Sequence, residues 1–193
     1  MRHRNLAEVL VSIRRELPGV LLFVAAIWLV YFLQEPLGLL NLALAPRSAH
    51  GLTGIVAMPF LHGDLAHLAS NSPPLVILLV LLAGSRTRAW QIVTLLTLGS
   101  GCALWLLGFA TTRYIGASML VFGLIAFLIV SGLRERRTIP ILVAVLVGVL
   151  YGWTALMGLV PLSREISELS HLIGLVTGVA LALGMTSVKK RRR

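Results

Sequence analysis

The chain has 193 residues, of which 58% are hydrophobic and 12% charged, and its mean hydropathy is +0.93. That composition excludes an ordinary water-soluble domain and marks a polytopic membrane protein. A net charge of +10 invites a nucleic-acid reading, which the positions of the basic residues argue against.

Six stretches lack Asp, Glu, Lys and Arg: 17–34, 65–85, 89–112, 114–133, 138–163 and 169–188. As helices rising ~1.5 Å per residue, each is long enough to cross roughly 30 Å of hydrocarbon. Backbone polar groups in lipid must be satisfied within the segment, and these continuous runs lack the alternation of a β-barrel strand. The expected fold is therefore all-α, a single bundle of six transmembrane helices over 17–188. A segment 1–16 precedes it and a basic tail, 189–193, follows. The Ala43-Leu44-Ala45 triplet has small residues like a signal-peptide cleavage site, but it lies well beyond the first apolar run and Pro46 follows it. Cys102, the only cysteine, falls inside span 3, so no intramolecular disulfide forms. There is no internal repeat to suggest a transporter built on inverted halves.

The charges set the topology. Arg2, Arg4, Arg14 and Arg15 precede span 1, Arg86 and Arg88 separate spans 2 and 3, Arg134, Arg136 and Arg137 separate spans 4 and 5, and five residues end the chain. Fourteen of the seventeen basic residues thus fall on one side, and only Arg47, Arg113 and Arg164 on the other. By the positive-inside rule both termini are cytoplasmic, and the basic tail attracts anionic membrane lipids rather than nucleic acid. The first outer connection, 35–64, is too short in its apolar pieces to span and too apolar for a solvated loop. It reads as a structured element in the outer interface. The outer loops after spans 3 and 5 are expected to be short.

Polar residues inside the spans fall at one depth. Spans 2, 4 and 6 all run inward, with His67 and Asn71 early in span 2, Ser118 early in span 4 and His171 in the first turn of span 6, just after Glu165 and Glu168. Burial of polar groups in a bilayer is costly unless they share an interior or wet cavity. A serine becomes a nucleophile when a nearby imidazole accepts its proton, and His171 is the best-placed base for Ser118. Gly174 and Gly178 follow His171 at GxxxG spacing, a smooth face on which span 4, bearing Gly116 and Gly123, can pack closely. Phe122, four residues after Ser118, is placed for its ring to pack on the imidazole. The nearest carboxylate, Asp64, lies at the outer edge, so the pair reads as a Ser–His dyad oriented by packing. His67 and Asn71, at i and i+4, can both donate to a developing oxyanion, with help from the Ser118 N–H.

At these residues the chain resembles the rhomboid family of intramembrane serine proteases. The segment from His62 through His67 to Asn71 is similar to the family's HxxxxHxxxN pattern, Gly116-Ala117-Ser118 to its GxS motif, and Ser170-His171-Leu172-Ile173-Gly174 to its AHxxG motif with Ser for Ala. The resemblance covers about residues 51 to 185. It implies Ser118 as nucleophile, His171 as general base and His67 with Asn71 as oxyanion stabilisers, with Gly116, Phe122, His62, Gly174 and Gly178 in support. It further implies a first outer loop in the membrane interface, and span 5 with its outer loop as a gate. The substrates implied are transmembrane proteins cut near the outer face, and the compact plan implies a prokaryotic cell membrane. Neither a cofactor nor a metal is called for.

Three departures stand out. Met119 follows the serine where rhomboids usually have glycine, and it either crowds the substrate carbonyl or faces a neighbouring helix. The first outer loop has Arg47 but not the tryptophan that many members pair with an arginine, so its anchoring must differ. Pro73 and Pro74 closely follow Asn71 and are expected to distort span 2. Rival readings are a catalytically impaired relative that binds membrane clients, and a metal hydrolase using His62 and His67. The second has poor i, i+5 spacing and no HExxH. A channel or transporter would need polar groups through the inner halves of the spans, which are nearly devoid of them.

Overall fold

The computed structural model describes residues 5–157 and 166–186. The tail 189–193, Arg2, Arg4, Arg164 and Glu165, to which topology or site expectations attach, lie outside the described residues. Six helices are long and apolar enough to cross a membrane: α1 Leu6–Gln34, α3 Leu65–Ser85, α4 Ala89–Leu107, α5 Ser118–Glu135, α6 Thr138–Met157 and α7 Ile166–Met185. The protein is an all-α integral membrane bundle, and its first outer connection carries a one-turn helix, α2 Gly54–Ala57, among short 3₁₀ turns.

α5 lies at the centre. Twelve of its eighteen residues are buried, as expected of a helix that is apolar all round and enclosed by neighbours. It packs most extensively against α7 and then α6, while α1 reaches the bundle through α3. The main core gathers Leu68, Leu75, Leu78, Leu124 and Phe127 with residues of every other spanning helix.

Several boundaries depart from the apolar runs. α1 begins eleven residues before the charge-free stretch, started by Asn5, whose side chain accepts the Glu8 N–H at 2.9 Å. Such an N-cap satisfies one of the donors that a helix start leaves without a partner. At 29 residues, α1 is about 44 Å long and exceeds the hydrocarbon thickness. Its extension is tied to α3 by Ser12 Oγ, which donates to the Ala83 carbonyl at 2.9 Å.

α4 stops at Leu107 and α5 starts at Ser118, so the connection after span 3 is ten residues long rather than short. The charge-free residues 114–117 are not helical because Tyr114 is consumed in a bridge with Leu44. Leu44 N–H donates to Tyr114 O at 3.1 Å and Tyr114 N–H to Leu44 O at 2.9 Å. α3 runs unbroken through Pro73 and Pro74, where distortion was expected. Around the prolines Ser70 Oγ and Ser72 Oγ bond back to the His67 and Leu68 carbonyls, and Trp28 Nε1 of α1 donates to Ser72 Oγ at 3.0 Å.

At the far end of the bundle Arg86 pairs with Glu135, donates to Ser131 Oγ at 2.7 Å and lies over the Phe127 ring, tying α3 to α5. Arg134 likewise bonds Thr186 Oγ1 at 3.1 Å and joins α5 to α7.

Candidate active site

Asp64 caps α3. In extended conformation, its Oδ1 accepts the His67 N–H at 2.7 Å, which places His67 at the third helical position. One turn on, Asn71 is 8% exposed, and its Nδ2 donates to the His67 carbonyl at 3.1 Å. That bond uses one of the amide's two N–H groups and fixes the direction of the other.

The ring of His67 rests on Gly116. The chain there runs at φ +111°, and a Cβ at this position would stand 2.7 Å from His67 Cε1 and 2.8 Å from Nε2. Only glycine meets both the backbone conformation and the close approach. The Gly116 N–H donates to Met58 O at 2.9 Å, so the first outer loop holds this turn in place. Gly116 was expected in the seam between spans 4 and 6, and it packs instead on the histidine of α3 because it precedes the helix.

Two residues later Ser118 opens α5, half-buried. The N–H groups of a first helical turn have no acceptor within the helix and carry the positive end of its dipole.

α7 meets α5 backbone to backbone. A Cβ on Gly174 would stand 2.3 Å from Met119 O, and one on Gly178 2.3 Å from Gly123 O. This approach lays the half-buried His171 ring flat on Phe122, with centroids 4.1 Å apart and planes 10° apart. Met119 is a core residue. It is 2% exposed and packs with Leu44, Met58, Leu104, Tyr114 and Ile173. Of its two expected placements, it takes the neighbouring-helix one.

His62 stands behind His67, 0% exposed, with ring centroids 5.0 Å apart in an edge-on arrangement. Loss of hydration lowers its pKa to about 4, helped by the neighbouring His67 and only partly opposed by the Phe60 backbone and Asp64, so the ring is neutral at ordinary pH. Contacts thus run from His62 through His67 to Gly116 on one side, while on the other His171 meets Phe122 and Gly174 meets Met119. They converge on the residues flanking Ser118. Glu168, in the first turn of α7, is half-buried. Among the described residues no three His, Cys, Asp or Glu side chains gather as a metal site.

Two features escaped the reading of the chain. Gln34, at the end of α1, is 3% exposed and engages the backbone of His62 at both ends of its amide. An uncharged polar residue closing an apolar run looks like a boundary, so nothing marked it. The anchor of the first outer loop comes from α4. Trp105 Nε1 donates to Ser48 O at 2.9 Å, while Arg47 Nη1 donates to Leu106 O at 3.0 Å and Gly108 O at 2.9 Å. The tryptophan missing from the loop is supplied by the helix beside it.

Comparison with known proteins agrees with these motifs. A family model, the Rhomboid domain, matches residues 49–188. Uncharacterized proteins of Mycobacterium tuberculosis and Mycobacterium bovis are each 34% identical over 186 residues, covering 90% of this chain and 77% of theirs. One from Mycobacterium leprae is 32% identical over 186 residues, covering 90% of this chain and 73% of its own.

Proposed function

The chain belongs to the rhomboid family, and from that premise we propose that it is an intramembrane serine endopeptidase that cuts transmembrane proteins near the outer membrane face. The observation that carries the proposal is the seating of α7 on α5: Gly174 against the Met119 carbonyl and His171 flat on Phe122. This brings the one histidine of α7 to the turn of α5 that begins with Ser118. Burial of Met119 among Leu44, Met58 and Tyr114 favours the active enzyme over a client-binding relative, because the side chain is committed to core packing.

In the proposed mechanism His171 accepts the Ser118 hydroxyl proton as the oxygen attacks the substrate carbonyl. Charge then develops on the carbonyl oxygen, where His67, the free N–H of Asn71 and the Ser118 N–H at the head of α5 donate to it. His171 returns the proton to the leaving amine, and water, deprotonated by the same imidazole, hydrolyses the acyl-enzyme. The stack on Phe122 does the orienting that a carboxylate does in other serine enzymes.

Within this reading the segment 1–16 and the tail 189–193 are cytoplasmic, the domain 17–188 sits in a prokaryotic cell membrane, and 35–64 lies in the outer interface. α6 is the gate: it presents Leu142, Val145, Val149 and Trp153 outward and buries only Pro140, Ala144 and Val147.

Fluorophosphonate labelling of the purified protein tests the proposal. Ser118 becomes modified, Ser118→Ala and His171→Ala each abolish cleavage of a model transmembrane substrate, and the double variant is little worse than either one. Residual turnover in purified Ser118→Ala contradicts the serine mechanism.

A further inference from the structure

Gln34 spends both ends of its amide on a single partner. Nε2 donates to the His62 carbonyl at 2.6 Å, and Oε1 accepts the His62 N–H at 3.1 Å. A buried side chain that takes both backbone groups of one residue satisfies two groups otherwise orphaned, and it fixes the direction in which that residue's Cβ leaves the chain. For His62 that direction matters. Its fully buried ring stands edge-on to His67, and the His67 ring touches Gly116, two residues before Ser118. The contacts pass without a gap from Gln34 to His62, His67 and Gly116. α1 is otherwise peripheral, burying only Ser12, Val20, Ile27 and Gln34, and the last of these reaches the site.

We propose that Gln34 is a positioning residue, whose amide holds His62 so that the His62 ring pins the His67 imidazole against Gly116. Gln34 touches no reacting atom and acts through His62. The role rests on the protease reading above, and it assigns α1 a part in the chemistry that neither its sequence nor its place at the edge of the bundle suggests.

The test uses the full-length protein in liposomes, with a model transmembrane substrate and a fluorophosphonate that counts labelled sites. Gln34→Leu keeps the volume and removes both bonds. Expressed per labelled site, its kcat falls about tenfold to a hundredfold, the scale of a small misplacement in a catalytic constellation, while KM stays within about twofold. In a His62→Ala background the same substitution has no further effect, because the ring through which Gln34 acts is gone. Gln34→Glu supplies the discriminating readout. A protonated carboxyl can donate and accept as the amide does, whereas an ionised one only accepts. Its kcat relative to wild type therefore rises as the pH is lowered from about 8 to about 6, while the ratio for Gln34→Leu stays flat.

Wild-type kcat in folded Gln34→Leu overturns the proposal, as does an equal loss with and without the His62 ring. If Gln34→Leu does not fold, a flat pH ratio for Gln34→Glu overturns it. Failure of the wild-type protein to label at Ser118 is a separate result that removes the protease reading, and this proposal with it.

Discussion

The ring of Phe122 lies face to face with the imidazole of His171, 4.1 Å between centroids and 10° between planes. One residue sits on α5 and the other on α7, so the stack is at once an interhelical contact and a brace on the imidazole. An aromatic pair contributes roughly 0.5–1.5 kcal/mol beyond its buried area. Phe122→Ala should lower kcat by about twofold to tenfold on that scale, or more if the imidazole swings free. Phe122→Tyr should keep most of the activity. Steady-state cleavage of a model substrate by both variants decides this, and an unchanged kcat in folded Phe122→Ala means that the stack only packs helices.

The Asn71 amide has one N–H on the His67 carbonyl, and the proposed mechanism gives its second N–H to the oxyanion. Asn71→Ala should lower kcat by about a hundredfold to a thousandfold, the typical worth of one oxyanion donor, with little change in KM, because the oxyanion exists only after attack. Fluorophosphonate labelling should suffer less than in His171→Ala, since activation of the nucleophile is untouched. A stable variant with wild-type kcat would make the side chain a tie within α3.

In the proposed orientation residues 136–137, between α5 and α6, face the cytoplasm and the 108–117 connection faces outside. After Cys102, exposed on α4, is replaced by serine, a cysteine at Arg136 should resist a membrane-impermeant maleimide in intact cells and one at Arg113 should react. The opposite pattern inverts the site.

His62, held near pKa 4 by burial, binds fewer protons folded than unfolded between about pH 4 and its ordinary value near 6.5. Stability rises with pH wherever the unfolded chain holds more protons. The contribution is therefore intact above about pH 6.5 and is lost as pH falls toward about 4, by about 3 kcal/mol in all at ~1.36 kcal/mol per unit. Denaturation midpoints in detergent should drop across that window in the wild type and drop less in His62→Leu. Parallel pH profiles for the two proteins refute the assignment.

The chain announced its spans unevenly. α3 matched its charge-free run, 65–85, because Asp64 and Arg86 stand at the physical ends of the helix. α1 did not, since a helix that leaves the hydrocarbon tolerates Glu8, Arg14, Arg15 and Glu16, and a count of charges running back from the apolar stretch stops at Glu16. Asn5 followed by Glu8 was the available signal. The stretch 108–117 was misread for the converse reason: hydropathy cannot separate a buried extended segment from a buried helix, and Tyr114 and Ala117 are as apolar in one as in the other. The candidate site residues stood out through their spacing, and the seams around them partly so. The GxxxG of α7 marked its contact with α5, whereas the grip of Gln34 on His62 crosses 28 positions with neither charge nor periodicity to betray it.

The first outer loop is sewn to α4. Arg47 N–H donates to Trp105 O at 3.0 Å, Trp105 Nε1 donates to Ser48 O, and Leu44 pairs with Tyr114. In doing so the loop occupies the carbonyls that a helix end in an apolar setting cannot leave to water. This divides the loop by its tolerance of length change. Residues 35–42 are almost all exposed and make only local turns, so insertions and deletions there alter little. Residues 43–48 are a fixed-length splint, because one residue added or removed would break the Leu44 pairing and the Arg47 cap together. Natural variation in loop length, or a grafted epitope, therefore belongs on the α1 side of Ala43.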